Sequence, residues 1–208
     1  MKITNPLDNI LDNEAKVRIL RFLLKTRAQW NGRQIAKEVG VTPATAHKAL
    51  HSLRKEGVLL LRNIGRTHVY SLNESSVIVS GMLTPLFAKE DRILDSIIGV
   101  IKRKISSLKS EKAILSVALF GSVTIRQDRP TSDIDLAVIV ENAKGRAVAE
   151  RLFEEIDKKI MKEFGNALSP YINTRAEFKA KYRRGMAVVK SIVKCHNLIY
   201  GKRLGALL

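Results

Sequence analysis

The chain of 208 residues carries 37 Lys and Arg against 20 Asp and Glu, a formal charge of +17, with hydrophobic residues at 45%. Such a composition can bury real cores and excludes a disordered tail, while the charge points to a polyanionic partner, above all nucleic acid. Cys195 is the only cysteine, which excludes an internal disulfide or paired-cysteine metal site, and the longest apolar runs, such as 58–61 and 136–140, are far too short for a bilayer-spanning helix.

Residues 1–30 lack the basic start, apolar stretch and cleavage site of a secretory signal, so a cytoplasmic, reducing location without a membrane partner is expected. The first predicted helix covers 7–27, with Val17, Leu20 and Leu24 on one face. A second covers 32–39, turning Ile35, Ala36 and Val39 inward and ending at Gly40. A third covers 43–56, with Thr42 as N-cap, Pro43 in its first turn and Gly57 at its end. The period then changes to two, predicting strands over 58–62 and 67–72 joined by a turn at 63–66. Residues 76–110 read as one long linker helix, with Leu86, Ile93, Ile97 and Ile101 at helical spacing. Beyond it come strands at 114–120 and 134–140, a helix at 147–164, a strand at 168–174 and a final helix at 177–198. That last helix turns Tyr182, Val189, Ile192 and Val193 inward and basic residues outward; Trp30 is expected at a core boundary and Cys195 as a buried thiol. The fold class is α+β in two domains: 1–75, the linker helix 76–110, and 111–208.

Three helices followed by a two-stranded ribbon is the order of a winged helix-turn-helix. In the third helix, Ala46, Leu50 and Leu53 form an apolar stripe, while Ala44, His47, Lys48, His51 and Lys55 line the opposite face, flanked by Thr45 and Arg54. A small, polar and basic face suits the major groove. Arg62 and Arg66 in the ribbon suit phosphate or minor-groove contact, and residues 65–73 resemble the wing of small prokaryotic winged-helix regulators. Double-stranded DNA is therefore the expected partner, met as a homodimer across two half-sites, with the 76–110 helix as candidate interface.

In the second domain, Gly121-Ser122 ends a strand and is followed, after about ten residues, by Ser132-Asp133-Ile134-Asp135-Leu136. Alternation puts Asp133 and Asp135 on one face and turns Ile134 and Leu136 to the core, so two carboxylates converge as oxygen ligands for divalent metal. A glycine at a strand end lets backbone N–H groups approach a phosphate. These residues resemble the minimal nucleotidyltransferases of the DNA polymerase beta superfamily, and the whole chain is similar to prokaryotic proteins that join a winged helix to such a domain. The resemblance implies an α/β domain transferring a nucleotide from an NTP such as ATP with Mg, in some members to a partner toxin. Carried over, Gly121, Ser122, Arg126 and Ser132 hold the nucleotide, and Asp133 and Asp135 are the metal-binding, catalytic carboxylates. Active members place a third carboxylate on the next strand, and 168–174 contains no Asp or Glu; Glu177 follows at a helix start. Two readings follow: a DNA-binding, transcriptional-regulator-like and antitoxin-like protein that binds Mg-NTP without turnover, or an active nucleotidyltransferase acting on a protein or nucleic-acid acceptor.

Overall fold

A computed structural model describes residues 2–108, 113–125, 129 and 132–208. They divide into two compact units, Met1–Ile93 and Leu94–Leu208.

In the first unit, helix α1 spans Glu14–Thr26, strand β1 Trp30–Asn31, helix α2 Gly32–Val39 and helix α3 Pro43–Lys55. Strands β2 (Leu59–Ile64) and β3 (Thr67–Leu72) complete an antiparallel sheet in the order β1-β3-β2. Caps set the helix starts. The Asn13 side chain accepts from Lys16 N–H, so α1 begins later than the expected residue 7, with only a 3-10 turn at Pro6–Asn9 before it. Asn31 and Gln34 form a reciprocal capping box on α2, and the Thr42 hydroxyl accepts from Thr45 N–H on α3. Gly40 ends α2 at φ +68°, and this left-handed residue turns the chain between the two helices. Ile19, Leu20, Leu23, Ile35, Leu50 and Leu53 are fully buried together, each contributing ~2 kcal/mol of apolar burial. Trp30 is half-buried, tilted on the Phe22 ring at 5.1 Å, and its indole N–H donates to the Thr26 hydroxyl. The wing is tighter than the expected 63–66 turn: Asn63 and Ile64 pair with His68 and Thr67, leaving only Gly65 and Arg66 at the tip.

The single linker helix expected over 76–110 does not form. A π-type turn at Ile78–Leu83 leads into helix α4, Thr84–Asp91, and helix α5 follows at Ile93–Ser106. Pro85 has no N–H to return to the carbonyl four residues back, which accounts for the wide turn before it. Arg92 closes α4 by donating its N–H to Lys89 O, a three-residue step that ends the regular ladder. Ile78, Val79, Leu83 and Phe87 belong to the first core, whereas Ile97, Val100, Ile101 and Ile105 belong to the second.

The second unit is a four-stranded sheet in the order β6-β5-β4-β7. Strand β4 (Ile114–Leu119) runs antiparallel to β5 (Ile134–Val140), and β6 (Leu168–Thr174) runs parallel to β5 after the crossover helix α6, Ala143–Phe164. One face, with Leu136, Val138 and Val140, packs on α5 and α6 through Phe153, Ile156 and Ile160. The other, with Ala118, Ala137 and Ile139, is covered by Phe178, Val189, Ile192 and Leu204. The expected final helix 177–198 is instead two helices, α7 (Arg175–Arg183) and α8 (Ala187–Lys194), followed by strand β7 (Asn197–Gly201). The chain turns at Gly185, and residues 197–201 gain ladder bonds by pairing with β4. Val189 and Ile192 are buried as expected, with Tyr182 and Val193 half-buried. Cys195 is exposed, not buried, because it leaves the end of α8 in extended conformation.

Candidate functional site

The polar face of α3 is free. Ala46, Ala49, Leu50 and Leu53 hold the helix to the core, and Thr45, His47, Lys48, His51, Arg54 and Lys55 are all exposed. Arg62 and Arg66 are exposed on the wing, where His68 Nδ1 lies 2.6 Å from Asn63 Oδ1 and ties the two strands beside the tip. A cleft of about 590 Å³ separates helix from wing and is lined by Arg33, His47, Arg66, His68 and Tyr70. Arg33 was not among the expected contacts. Its signal was present in the sequence, since the Asn31–Gln34 capping box puts residue 33 in the first turn of α2.

In the second unit, the end of β4 and the start of β5 lie side by side: Leu119 pairs with Leu136, and Phe120 N–H donates to Asp135 O. This register carries Gly121-Ser122 onto the carboxylates. Gly121 has φ +77°, and a Cβ built on it would fall 2.1 Å from Asp135 Oδ2, so only glycine lets the backbone pass there. The chain then makes a helical turn, with Thr124 N–H donating to Gly121 O and Ile125 N–H to Ser122 O. Ser132 closes the approach to β5: its hydroxyl accepts from Arg129 N–H while its own N–H donates to Arg129 O. That hydroxyl keeps its hydrogen to donate. Arg126 lies outside the described residues.

Asp135 is half-buried and Asp133 exposed. Burial, and then the neighbouring Asp133 charge, raise the Asp135 carboxyl above its ordinary value. A divalent cation would relieve both, and two carboxylates leaving room for phosphate oxygens fit the hard, oxygen-preferring Mg ion. Among the described residues no three His, Cys, Asp or Glu side chains gather as a metal cage. On β6, Ser169 pairs with Asp135 and Tyr171 with Ala137, so polar neutral groups stand where a third acid is sought. Glu177 cannot supply it. It caps α7 by accepting from Thr174 N–H, pairs with Arg146, and sits past Thr174 at the opposite end of β6, roughly 17 Å from Ser169. Thr174 N–H, ahead of Arg146, holds the Glu177 carboxyl below its ordinary value.

Residues 102–202 match the family model described as polymerase beta, nucleotidyltransferase, and residues 17–66 match one described as HTH domain. No curated protein matches the chain. Among solved structures, reduced HlyU from Vibrio cholerae is similar at 25% identity, over 39% of this chain and 81% of that one, with a TM-score of 0.34. A homodimeric winged helix-turn-helix DNA-binding domain from Mycobacterium bovis is 21% identical over 43% and 79%, with a TM-score of 0.36. NolR from Sinorhizobium fredii is 23% identical over 39% and 80%, with a TM-score of 0.33.

Proposed function

From a chain that joins a helix-turn-helix domain to a nucleotidyltransferase domain of the polymerase beta type, we propose a DNA-binding regulator whose second domain binds Mg-NTP without transferring the nucleotide. The observation that carries the nucleotide half is the contact of Gly121 with Asp135, a backbone cradle pressed against a carboxylate pair that a side chain would fill. Asp133 and Asp135 hold the metal, while Gly121 and Ser122, with Arg126 and Ser132, hold the phosphates. Bound Mg supplies charge neutralisation to the triphosphate. The chain's own residues orient it: the helical turn after Gly121 offers backbone N–H groups, and Asp135, on β5, stands against Gly121. Turnover is disfavoured because β6 offers Ser169 and Tyr171 beside that pair, and that strand holds no carboxylate to take a proton from an attacking hydroxyl.

In the DNA half, Thr45, His47, Lys48, His51 and Arg54 enter the major groove, and Arg62 and Arg66 contact the backbone from the wing. A homodimer on two half-sites, in the cytoplasm, completes the reading. Exposed Val77, Met82 and Leu86 beside the first core support a contact there. An antitoxin-like role adds a toxin as protein partner, tested by co-purification. The deciding experiment is calorimetry of each NTP with and without Mg, on the wild type and on Asp133→Ala, Asp135→Ala. We expect Mg-dependent binding that the double variant loses; equal binding by both proteins, or none by the wild type, overturns the nucleotide half.

A further inference from the structure

On the same face of the sheet as Asp135, one strand over and further along β6, Tyr171, Asn173 and Lys181 form a cluster with hydrogens to spare. Tyr171 is one strand over from Asp135 and two residues past Ser169, ~7 Å along β6. Lys181, on α7, donates through Nζ to the Tyr171 hydroxyl at 3.1 Å and to Asn173 Oδ1 at 2.5 Å. Its ammonium also stands 4.9 Å from the centre of the Tyr171 ring. Tyr171 and Lys181 are half-buried, and Asn173 is wholly buried.

Three features leave this cluster short of acceptors. Lys181 makes no ion pair within 4 Å among the described residues, and Glu177, one helical turn before it, bonds Arg146 and the Thr174 N–H and meets the Lys181 charge only at longer range. An ammonium has three hydrogens, of which two are used, and the phenol that accepts one keeps its own to give. Asn173 Nδ2 is buried without a partner among the described residues, a deficit that ordinarily costs about 1–3 kcal/mol. A part-buried cation, a phenol and an amide with spare hydrogens match an oxyanion.

We propose that Lys181 and Tyr171, positioned by Asn173, form an oxyanion subsite for one phosphoryl group of the nucleotide bound at Asp133 and Asp135. The inference rests on the nucleotide reading above and extends it to residues outside the Gly-Ser and carboxylate motif. Lys181 holds the phosphoryl oxygen by charge, Tyr171 by its hydroxyl, and Asn173 keeps the ammonium aimed through Oδ1.

The test is calorimetry of the full chain with Mg-ATP, and separately with pyrophosphate, on the wild type, Lys181→Met and Tyr171→Phe. The conservative Tyr171→Phe keeps ring and packing and so controls for any disturbance of α7 by Lys181→Met, and duplex binding checks that each variant is intact. Loss of a charge-assisted bond should weaken Mg-ATP ~10- to 100-fold in Lys181→Met and ~3- to 10-fold in Tyr171→Phe. If both variants bind Mg-ATP as the wild type does while Asp133→Ala, Asp135→Ala does not, the subsite is wrong and the nucleotide reading stands. If the wild type binds no nucleotide but binds pyrophosphate through Lys181, the subsite serves a free phosphate and the nucleotide reading falls. If the wild type binds neither, both fall.

Discussion

The α3–wing surface and the carboxylate end of β5 are built on opposite terms. On α3 the residues that hold the fold and those that face outward are separate sets: Leu50 and Leu53 are fully buried, while Lys48, His51 and Arg54 are exposed. At the start of β5 the two demands fall on the same atoms. Asp135 is half-buried, its carboxyl raised, with the backbone of Gly121 against it. A groove-reading surface must be solvated before it meets DNA, whereas a metal site gains from carboxylates held together before the ion arrives. Substitutions on the first surface should therefore change binding alone, and those at the second should change stability and binding together.

The strongest test of that separation is in the core of α3. Leu53→Ala removes a fully buried side chain and should destabilise the first unit by about 2–5 kcal/mol, read by thermal or urea unfolding, while Mg-NTP binding is retained. Next is Gly121→Ala, which forces a Cβ onto Asp135 Oδ2 at a left-handed φ. It should cost about 1–3 kcal/mol of stability in the second unit and abolish nucleotide binding, leaving duplex affinity unchanged. Equal nucleotide binding by that variant would remove the basis for the cradle. Smaller still are Lys48→Ala and Arg54→Ala, each expected to weaken duplex binding ~5- to 20-fold by anisotropy and to lower the salt slope by about one, with no change in unfolding midpoint. If neither weakens binding, α3 is not the reading helix.

The smallest effect is the most diagnostic of the carboxylate pair. The folded state raises the Asp135 carboxyl, so its protonated form is favoured there relative to the unfolded chain. Stability from this group is present below the ordinary carboxylate range and is lost as pH rises through the raised value. In metal-free buffer at neutral pH, Asp135→Asn should therefore raise the unfolding midpoint, by a few degrees at most, and flatten its decline across that range. Added Mg should reverse the order, stabilising the wild type and not the variant.

Much of this is legible in the sequence. The α2 and α3 limits follow from Asn31, Thr42, Pro43 and Gly40, whose capping acts within one helical turn, and the alternation of Ile134, Asp135 and Leu136 assigns their faces without knowledge of neighbours. The 76–110 segment misled because helical spacing of Leu86, Ile93, Ile97 and Ile101 does not reveal which core each residue meets. Leu86 and Ile93 are exposed, while Ile97 and Ile101 are buried in the second unit. Residues 197–201 misled for a related reason, since their strand is made by bonds to β4 rather than by a pattern of their own.

What the sequence by itself determined is the limits of α2 and α3, the exposed basic face of α3, and the turning of Ile134 and Leu136 into the core. Periodicity and capping settle these over a few residues. Only the tertiary structure decided which groups meet: Gly121 against Asp135, Ser169 rather than an acid beside it, Glu177 at the far end of β6, and Lys181 on Tyr171 and Asn173. Those encounters depend on strand register and on the return of α7 over the sheet, which long-range pairing and burial set together and no short stretch of chain encodes.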